Sequence, residues 1–382
     1  MNEVNKEHSK IDKLIDSYDF QQLWKTKCSQ FDNLGLSLPS VLPAVERIIV
    51  LGDVHGDMKM LKKSLKLAKL IDEDNEWIGK DTVVVQVGDQ IDRCRYAGVD
   101  CSKKEATQHD EGNDWAILKF MTELNAKAHK SGGAVYSLVG NHELMNVNSD
   151  MRYVSYEGFK EFDNWKPPET YIMPDGLNGE KKREWAFKPG NYIADFLACT
   201  RQMSLMIGSN LFVHAGILPK IAKKYSIENL NKLLALYLWD ELKKEDKEEH
   251  KNIWSGTKIS PLWIRDFGKM GMEKEKSPEK FKKKEDERCK ELIEPIQDIY
   301  KVDKIYIGHT PLMKNGISSI CNDKIWLTDY GASKAFDKFD EQIISQSAGS
   351  ESSDDITKLR DVRKAHVLEI LNDGEQINII RE

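Results

Sequence analysis

Five short apolar runs in this chain each give way abruptly to side chains of the kind that bind metals. The first is RIIVLGDVHGD, residues 47–57: Ile48 to Leu51 run into Gly52, and Asp53, His55 and Asp57 follow at alternate positions. Open α/β sheets present their chemistry at the carboxyl ends of buried strands, in the turn just beyond the last apolar residue. In extended chain residues i and i+2 share a face, so Asp53 and His55 can enter one site together. The other runs end in VGDQID, VGNHE, VHAG and IGHTP. Between them the ends supply Asp53, His55, Asp89, Asn141, His214 and His309.

This mixture of carboxylate, imidazole and amide, without thiolate, suits Mn, Fe or Zn. It is too large for one tetrahedral centre and fits two adjacent divalent ions sharing a carboxylate. Such a pair clamps phosphorus during in-line displacement and lowers the pKa of bound water. One Gly-Asp or Gly-His after a strand is ordinarily a turn; the convergence of several is what carries the argument.

Between these ends the chain alternates strand and helix. Met58, Leu61, Leu65 and Ala68 mark one helical face, Thr82 to Val87 a second strand, and Ile117, Met121, Leu124 and Ala128 a helix opened by Asn113. Ala134 to Val139 is the third strand, and the order predicts an α/β layer. Cys94 to Gly112 reads as a polar surface insertion and residues 165–190 as a long excursion. Residues 205–213 form a hairpin turning at Gly208-Ser209-Asn210, and Ser226 caps a helix. The charged block from Glu273 to Lys290 is a solvated helix or loop. Short strands follow near 317–320, 325–327, 366–370 and 376–380, with a mobile serine-rich acidic linker at 345–355. Two regions result: residues 1–45, a helical extension and linker with Ile11, Leu14, Ile15 and Tyr18 at helical spacing, and residues 46–382, the catalytic domain.

A net charge of −6 offers no electrostatic footprint for nucleic acid. No run approaches the roughly 20 apolar residues of a membrane span, and the N-terminus lacks a signal-peptide core. Six scattered cysteines with no CxxC pair predict reduced thiols and a cytoplasmic protein, though Cys94 and Cys101 are near enough in sequence to pair under oxidation. His8, His109, His129 and His250 read as surface residues, His366 as structural, and Trp239 and Trp263 as packing. Asp57 reads as a helix N-cap and Glu143 as a support for the third strand end.

Taken in order, GDVHGD, GDQIDR, GNHE, His214-Ala215-Gly216 and the late Gly308-His309 resemble the motif series of the calcineurin-like metallophosphatases, specifically the phosphoprotein phosphatase type. Gly132-Gly133, Glu143 to Asn146, Asp150 to Tyr153, Pro261 to Arg265, GHTP, Asp329 to Ser333 and HVLEI are similar to the Shewanella-like branch. The resemblance implies two packed mixed β-sheets flanked by helices. It implies that Asp53 and His55 bind one metal, that Asp89 bridges, and that Asn141, His214 and His309 complete the second. His142 would be the general acid, Asp92 its orienting carboxylate, and Arg93 and Arg265 the phosphate clamps. The nucleophile would be hydroxide bridging the metals, with no phosphoenzyme.

Three departures stand out: Cys94 where the family has glycine after the arginine, Ala215 within HGG, and Ala332 in the Gly331-Ala332-Ser333 segment. The implied activity is hydrolysis of phosphoserine or phosphothreonine monoesters in a phosphoprotein or phosphopeptide. A phosphotyrosine-directed enzyme and a dinucleoside-polyphosphate hydrolase of the same fold are the alternatives. A phosphate-binding scaffold without turnover is the competing class, and the intact ligand set argues against it.

Overall fold

The computed structural model describes residues 3–34, 38–95, 98–337 and 362–382, so the acidic linker expected at 345–355 lies outside the described residues. Twelve strands form two six-stranded sheets. They are β1 (Val41–Leu42), β2 (Arg47–Leu51), β3 (Val83–Gln86), β4 (Ala134–Leu138), β5 (Arg201–Gln202), β6 (Ser204–Ile207), β7 (Asn210–Val213), β8 (Lys304–Ile307), β9 (Ser318–Ile320), β10 (Ile325–Leu327), β11 (His366–Leu371) and β12 (Gln376–Arg381). One sheet runs β12-β11-β2-β3-β4-β5 and the other β1-β6-β7-β8-β10-β9. Neighbours from β2 to β5 are parallel, whereas β11 meets β2, and β12 meets β11, antiparallel, so both sheets are mixed.

The strand sequences explain the layering. Ile48 and Val50 of β2 and Val83 and Val85 of β3 point between the sheets, where Leu205, Phe212, Tyr306 and Leu368 meet them. Ile49, Leu51 and Val84 alternate to the other face, against Leu61, Leu65, Ile117 and Met121 of the helices Met58–Leu67 and Asp114–His129. Strands covered on both faces favour apolar residues, which is why they read as near-continuous apolar runs, with Gln86 and Ser137 the buried polar exceptions in β3 and β4. The second sheet is backed by a helical core holding Leu230, Leu234, Leu238 and Ile296.

Asp57 and Ser226 cap as expected, whereas the Asn113 side chain makes no cap on the helix Asp114–His129, whose Trp115 and Ala116 N–H groups donate to Glu161. The Asp57 carboxylate accepts from Met60 N at 2.9 Å, and Ser226 forms a reciprocal capping box with Asn229. The charged block becomes two helices, Asp266–Lys276 and Pro278–Leu292, with Phe281 and Cys289 turned inward. The excursion at 165–190 contains a helix, Gly179–Phe187, that bears on the site below.

The N-terminal segment forms helices Glu3–Asp16 and Phe20–Cys28, seated on the body. Ile11, Ile15, Cys28 and Phe31 are buried in its helical core, Asp12 accepts from Asn229, and β1 pairs with β6.

Two further expectations fail. His250 is fully buried, its Nδ1 2.8 Å from the Tyr225 hydroxyl, because the short helix Lys244–His250 turns that one face inward. All six cysteines pair, Cys28 with Cys199, Cys94 with Cys101 and Cys289 with Cys321, instead of remaining thiols. Two of these pairs join residues far apart in sequence, at Cα separations of 5.5 and 5.7 Å, which no local spacing reveals. Among the described residues no helix is long and apolar enough to cross a membrane.

Candidate active site

The carboxyl ends of β2, β3 and β4 in one sheet and of β7 and β8 in the other meet at one point. The turns after β2 and β3 are stitched together: Val54 N and His55 N both donate to Asp89 O, at 2.9 and 3.0 Å. Glu143, on the helix Asn141–Val147, accepts from the backbone N–H groups of Asp89, Gln90, Ile91 and Gly140. One buried carboxylate thereby fixes the third strand end against the second. Its cost shows in its ionisation: burial, then the Asp89 charge, pushes Glu143 up to about 7. His309 N donates to the Asp53 carboxylate at 3.0 Å, which ties the two sheets at the site.

Backbone conformation there is unusual. His55, Asp89, Asp92 and His309 all have positive φ, between 45° and 71°, a region sparsely used by residues with a Cβ. Such strain persists where the surroundings over-determine it, and it concentrates at functional sites. The approach of the strand ends also demands glycine. A Cβ on Gly140 would stand 2.1 Å from Asp89 Oδ1, and one on Gly308 2.1 Å from Asp53 Oδ1.

All six expected ligands are brought together and buried: Asp53, His55, Asp89, Asn141, His214 and His309. Asp89 is shared. Its Oδ2 lies 3.9 Å from His55 Nε2 and its Oδ1 3.3 Å from His214 Nε2, while Asn141 Oδ1 is 3.0 Å from the same His214 nitrogen. Asp53 Oδ2 stands 3.8 Å from His55 Nε2. Ligand atoms of His55, Asp89 and His142 form one cluster and those of Asp89, His214 and His309 another, each within 4.8 Å. Both ring nitrogens of His309 are buried without a hydrogen-bond partner, as is Asp329 Oδ2. Orphaned buried acceptors are rare, and here they fit a divalent cation.

Burial, then repulsion by Asp329 and Asp89, holds the Asp53 carboxyl well above its usual range. Burial lowers His55 and His309 well below the ordinary imidazole value, helped by Arg95 and His142 at His55 and by His214 and Arg265 at His309. Against burial, His214 and His142 pull Asp89 well below the carboxylate range. Neutral His55 and His309 are in the state that metal binding requires, whereas Asp53, and His214, which the Asp89 charge raises against burial, would each have to give up a proton to a cation.

His142 and Asp92 are also together: His142 Nδ1 is 2.8 Å from Asp92 Oδ2. Asp92 Oδ1 in turn accepts from Asn146 and from Arg183, and Arg183 pairs with Asp114 at 2.8 Å. Arg183 is wholly buried, packed on Phe162 and Phe187. Sequence reasoning missed it, since one arginine within the charged run EKKRE carries no pattern. Asp114 lies beside the expected N-cap Asn113, and Asp329 lies in the Asp329 to Ser333 segment, whose pattern gives it no role.

A cavity of about 350 Å³ opens over the cluster, lined by His55, Asp89, Asn141, His142 and His309. Arg95, Arg152 and Arg265 also line it, with Tyr153, Trp263 and Phe336. A larger cavity of about 530 Å³ between Phe20, Trp24 and Lys232 holds none of the ligands, so chemistry and not volume selects the site. Trp263, read as packing, therefore faces the cleft. Arg265 is at the rim, its Nη1 donating to His309 O and Thr310 Oγ1 at 2.8 and 3.2 Å. Arg93 is elsewhere. Its guanidinium is turned away from the cavity onto Asp57, Ser333 and His109 O.

A family profile described as calcineurin-like phosphoesterase matches residues 46–313, and the chain belongs to that family. Within it, the chain is 29% identical over 316 residues to Shewanella-like protein phosphatase 2 of Arabidopsis thaliana, covering 76% of this chain and 72% of that protein. It is 27% identical over 287 residues to Shewanella-like protein phosphatase 1 of Plasmodium berghei, covering 75% and 67%. Among solved structures it is similar to the cold-active protein-tyrosine phosphatase of a psychrophilic Shewanella species. The TM-score is 0.59 at 19% identity, over 91% of this chain and 84% of the other. That likeness bears on the fold, two mixed sheets flanked by helices.

Proposed function

We propose that the chain is a two-metal phosphoprotein phosphatase that hydrolyses phosphoserine and phosphothreonine monoesters. The observation that carries this reading is Asp89, one carboxylate facing ligand nitrogens on both sides, beside a histidine–aspartate pair at the floor of an open cavity. Asp53 and His55 would hold one ion, Asn141, His214 and His309 the other, and Asp89 both. Bound there, divalent Mn, Fe or Zn would polarise the phosphoryl group and supply a nucleophile from water near neutral pH.

The chain's own residues do the rest. With Nδ1 committed to Asp92, the His142 ring presents Nε2 to the cleft, where it can protonate the departing alkoxide oxygen. Asp92 fixes the tautomer and stabilises the imidazolium. Arg265 at the rim offers a guanidinium to the equatorial oxygens, a match of fork to phosphate.

A phosphotyrosine substrate is the second reading. It is favoured by the aromatic side chains of Tyr153, Trp263 and Phe336 along the cavity, which suit a phenyl ring. The relative of known structure is described as a protein-tyrosine phosphatase. The cytoplasmic placement drawn from the sequence sits poorly with three disulfides, since those persist in oxidising compartments.

The test is phosphate release by Mn-, Fe- and Zn-loaded protein from matched phosphoserine, phosphothreonine and phosphotyrosine peptides, with diadenosine tetraphosphate alongside. Turnover of the first two supports the reading. Exclusive turnover of the tyrosine peptide favours the second, and a protein inert toward all phosphomonoesters sinks both.

A further inference from the structure

We propose that Arg95, set in place by the Cys94–Cys101 disulfide, is the guanidinium that grips the phosphoryl oxygens, the task the sequence assigns to Arg93. The inference rests on the phosphatase reading above and names a substrate-binding residue that lies outside the family motifs.

Arg93 is committed. Its Nη1 lies 2.9 Å from Asp57 Oδ2 and 3.1 Å from Ser333 Oγ, its Nη2 donates to His109 O at 3.0 Å, and both Arg93 and Asp57 are 1% exposed. Drawing Arg93 into the cleft would strand a buried carboxylate that also caps the helix Met58–Leu67. Arg152, the other cation on this side of the cavity, is held bidentately by Asp150, at 2.8 and 2.7 Å.

Arg95 is held differently. Its Nε donates to Cys94 O at 3.0 Å and its Nη2 to Asp92 O at 2.5 Å, which fixes the plane of the fork. The rings of Tyr153 and Phe336 lie 5.5 and 5.2 Å from the guanidinium carbon. Those same rings pack on His142 and His55, so the arginine is oriented by the walls of the catalytic cleft. Nη1 points inward, 3.2 Å from His55 Nε2. That nitrogen has one lone pair and serves one partner at a time. Once a metal takes it, Nη1 needs another acceptor, and an anion seated over the metals provides one, with charge-assisted strength.

The disulfide accounts for the departure from the family at Cys94. It closes a short loop, sequence separation 7, immediately beside Arg95. Cys94 N also donates to Tyr153 O at 3.1 Å. Cys94, the residue before Arg95, is thus clipped covalently through its side chain and hydrogen-bonded through its backbone. Arg95 is a substrate-binding residue here, and the cysteine pair positions it.

The experiment titrates inorganic phosphate into Mn-loaded protein by calorimetry, with metal content measured for every variant, and follows KM and kcat on a phosphopeptide. Arg95→Gln is expected to weaken phosphate binding roughly tenfold to a hundredfold, the worth of a hydrogen bond to a charged group, and to raise KM. Arg95→Lys should recover part of the loss. Cys94→Ser with Cys101→Ser should weaken phosphate binding by less than Arg95→Gln while metal content holds. Arg93→Lys should show itself as a lowered Tm. Phosphate affinity unchanged in Arg95→Gln, or lost only in Arg93→Lys, overturns the proposal. Wild-type binding by the serine pair overturns the positioning role of the disulfide. Because phosphate binding is read without turnover, the phosphatase reading fails separately, through a wild-type protein that binds phosphate and cleaves no phosphomonoester.

Discussion

The Nδ1 atom of His142 lies 2.8 Å from Oδ2 of Asp92, so the opposite edge of the imidazole is the one offered to a leaving group. His142→Asn or Asp92→Asn should lower kcat by about 10²- to 10⁴-fold, the usual worth of general acid catalysis. The loss should be larger for alkyl phosphates, whose leaving oxygen needs a proton, than for an activated aryl phosphate. Steady-state kinetics on both substrate types checks this, with circular dichroism to confirm the fold.

Arg183 acts behind that pair, without access to solvent or substrate. Replacing it with leucine leaves Asp92 and Asp114 as buried carboxylates without their cation. Breaking a buried ion pair from one side costs about 3–5 kcal/mol, so Arg183→Leu should unfold at markedly lower urea concentration than the wild type. Chemical denaturation monitored by fluorescence gives the comparison directly.

Asp89 is the one carboxylate common to both halves of the cluster. Asp89→Asn should reduce bound metal at both positions and nearly abolish activity while the protein stays folded. Elemental analysis after loading checks the first point. A chelator should inactivate the wild type, and added Mn should restore it.

His366, which is not among the proposed metal ligands, supplies a pH dependence of stability. Burial, then the charge of Arg381, pushes its imidazole down from 6.5 to about 4. Between those values the unfolded chain binds a proton that the folded chain refuses, so stability falls as pH drops from 6.5 towards 4. His366→Asn should flatten that slope, seen as a smaller fall in Tm across the same range.

The strand ends were legible because burial on both faces keeps the strands largely apolar until they stop. Gly52, Gly88, Gly140 and Gly308 then mark where the chain turns toward the ligands. Helix caps at Asp57 and Ser226 were legible for the same reason: the signal and its effect lie within three residues. What the sequence hid was long-range or directional. His250 and Trp263 face where they do because of neighbours distant in the chain. Arg93 and Arg95 are two residues apart with the same side chain, and their partners, Asp57 and Ser333 for the first and Asp92 O, Tyr153 and Phe336 for the second, set their different directions. The Cys28–Cys199 and Cys289–Cys321 partners were hidden by distance as well.

The Cys28–Cys199 bond spans 171 positions. The enclosed stretch carries Asp53, His55, Asp89, Asn141 and His142, while His214 and His309 lie beyond it. A protease that nicks the chain once anywhere inside that ring cannot release either piece. The cut molecule should migrate as a single band until a reductant is added, and then as two.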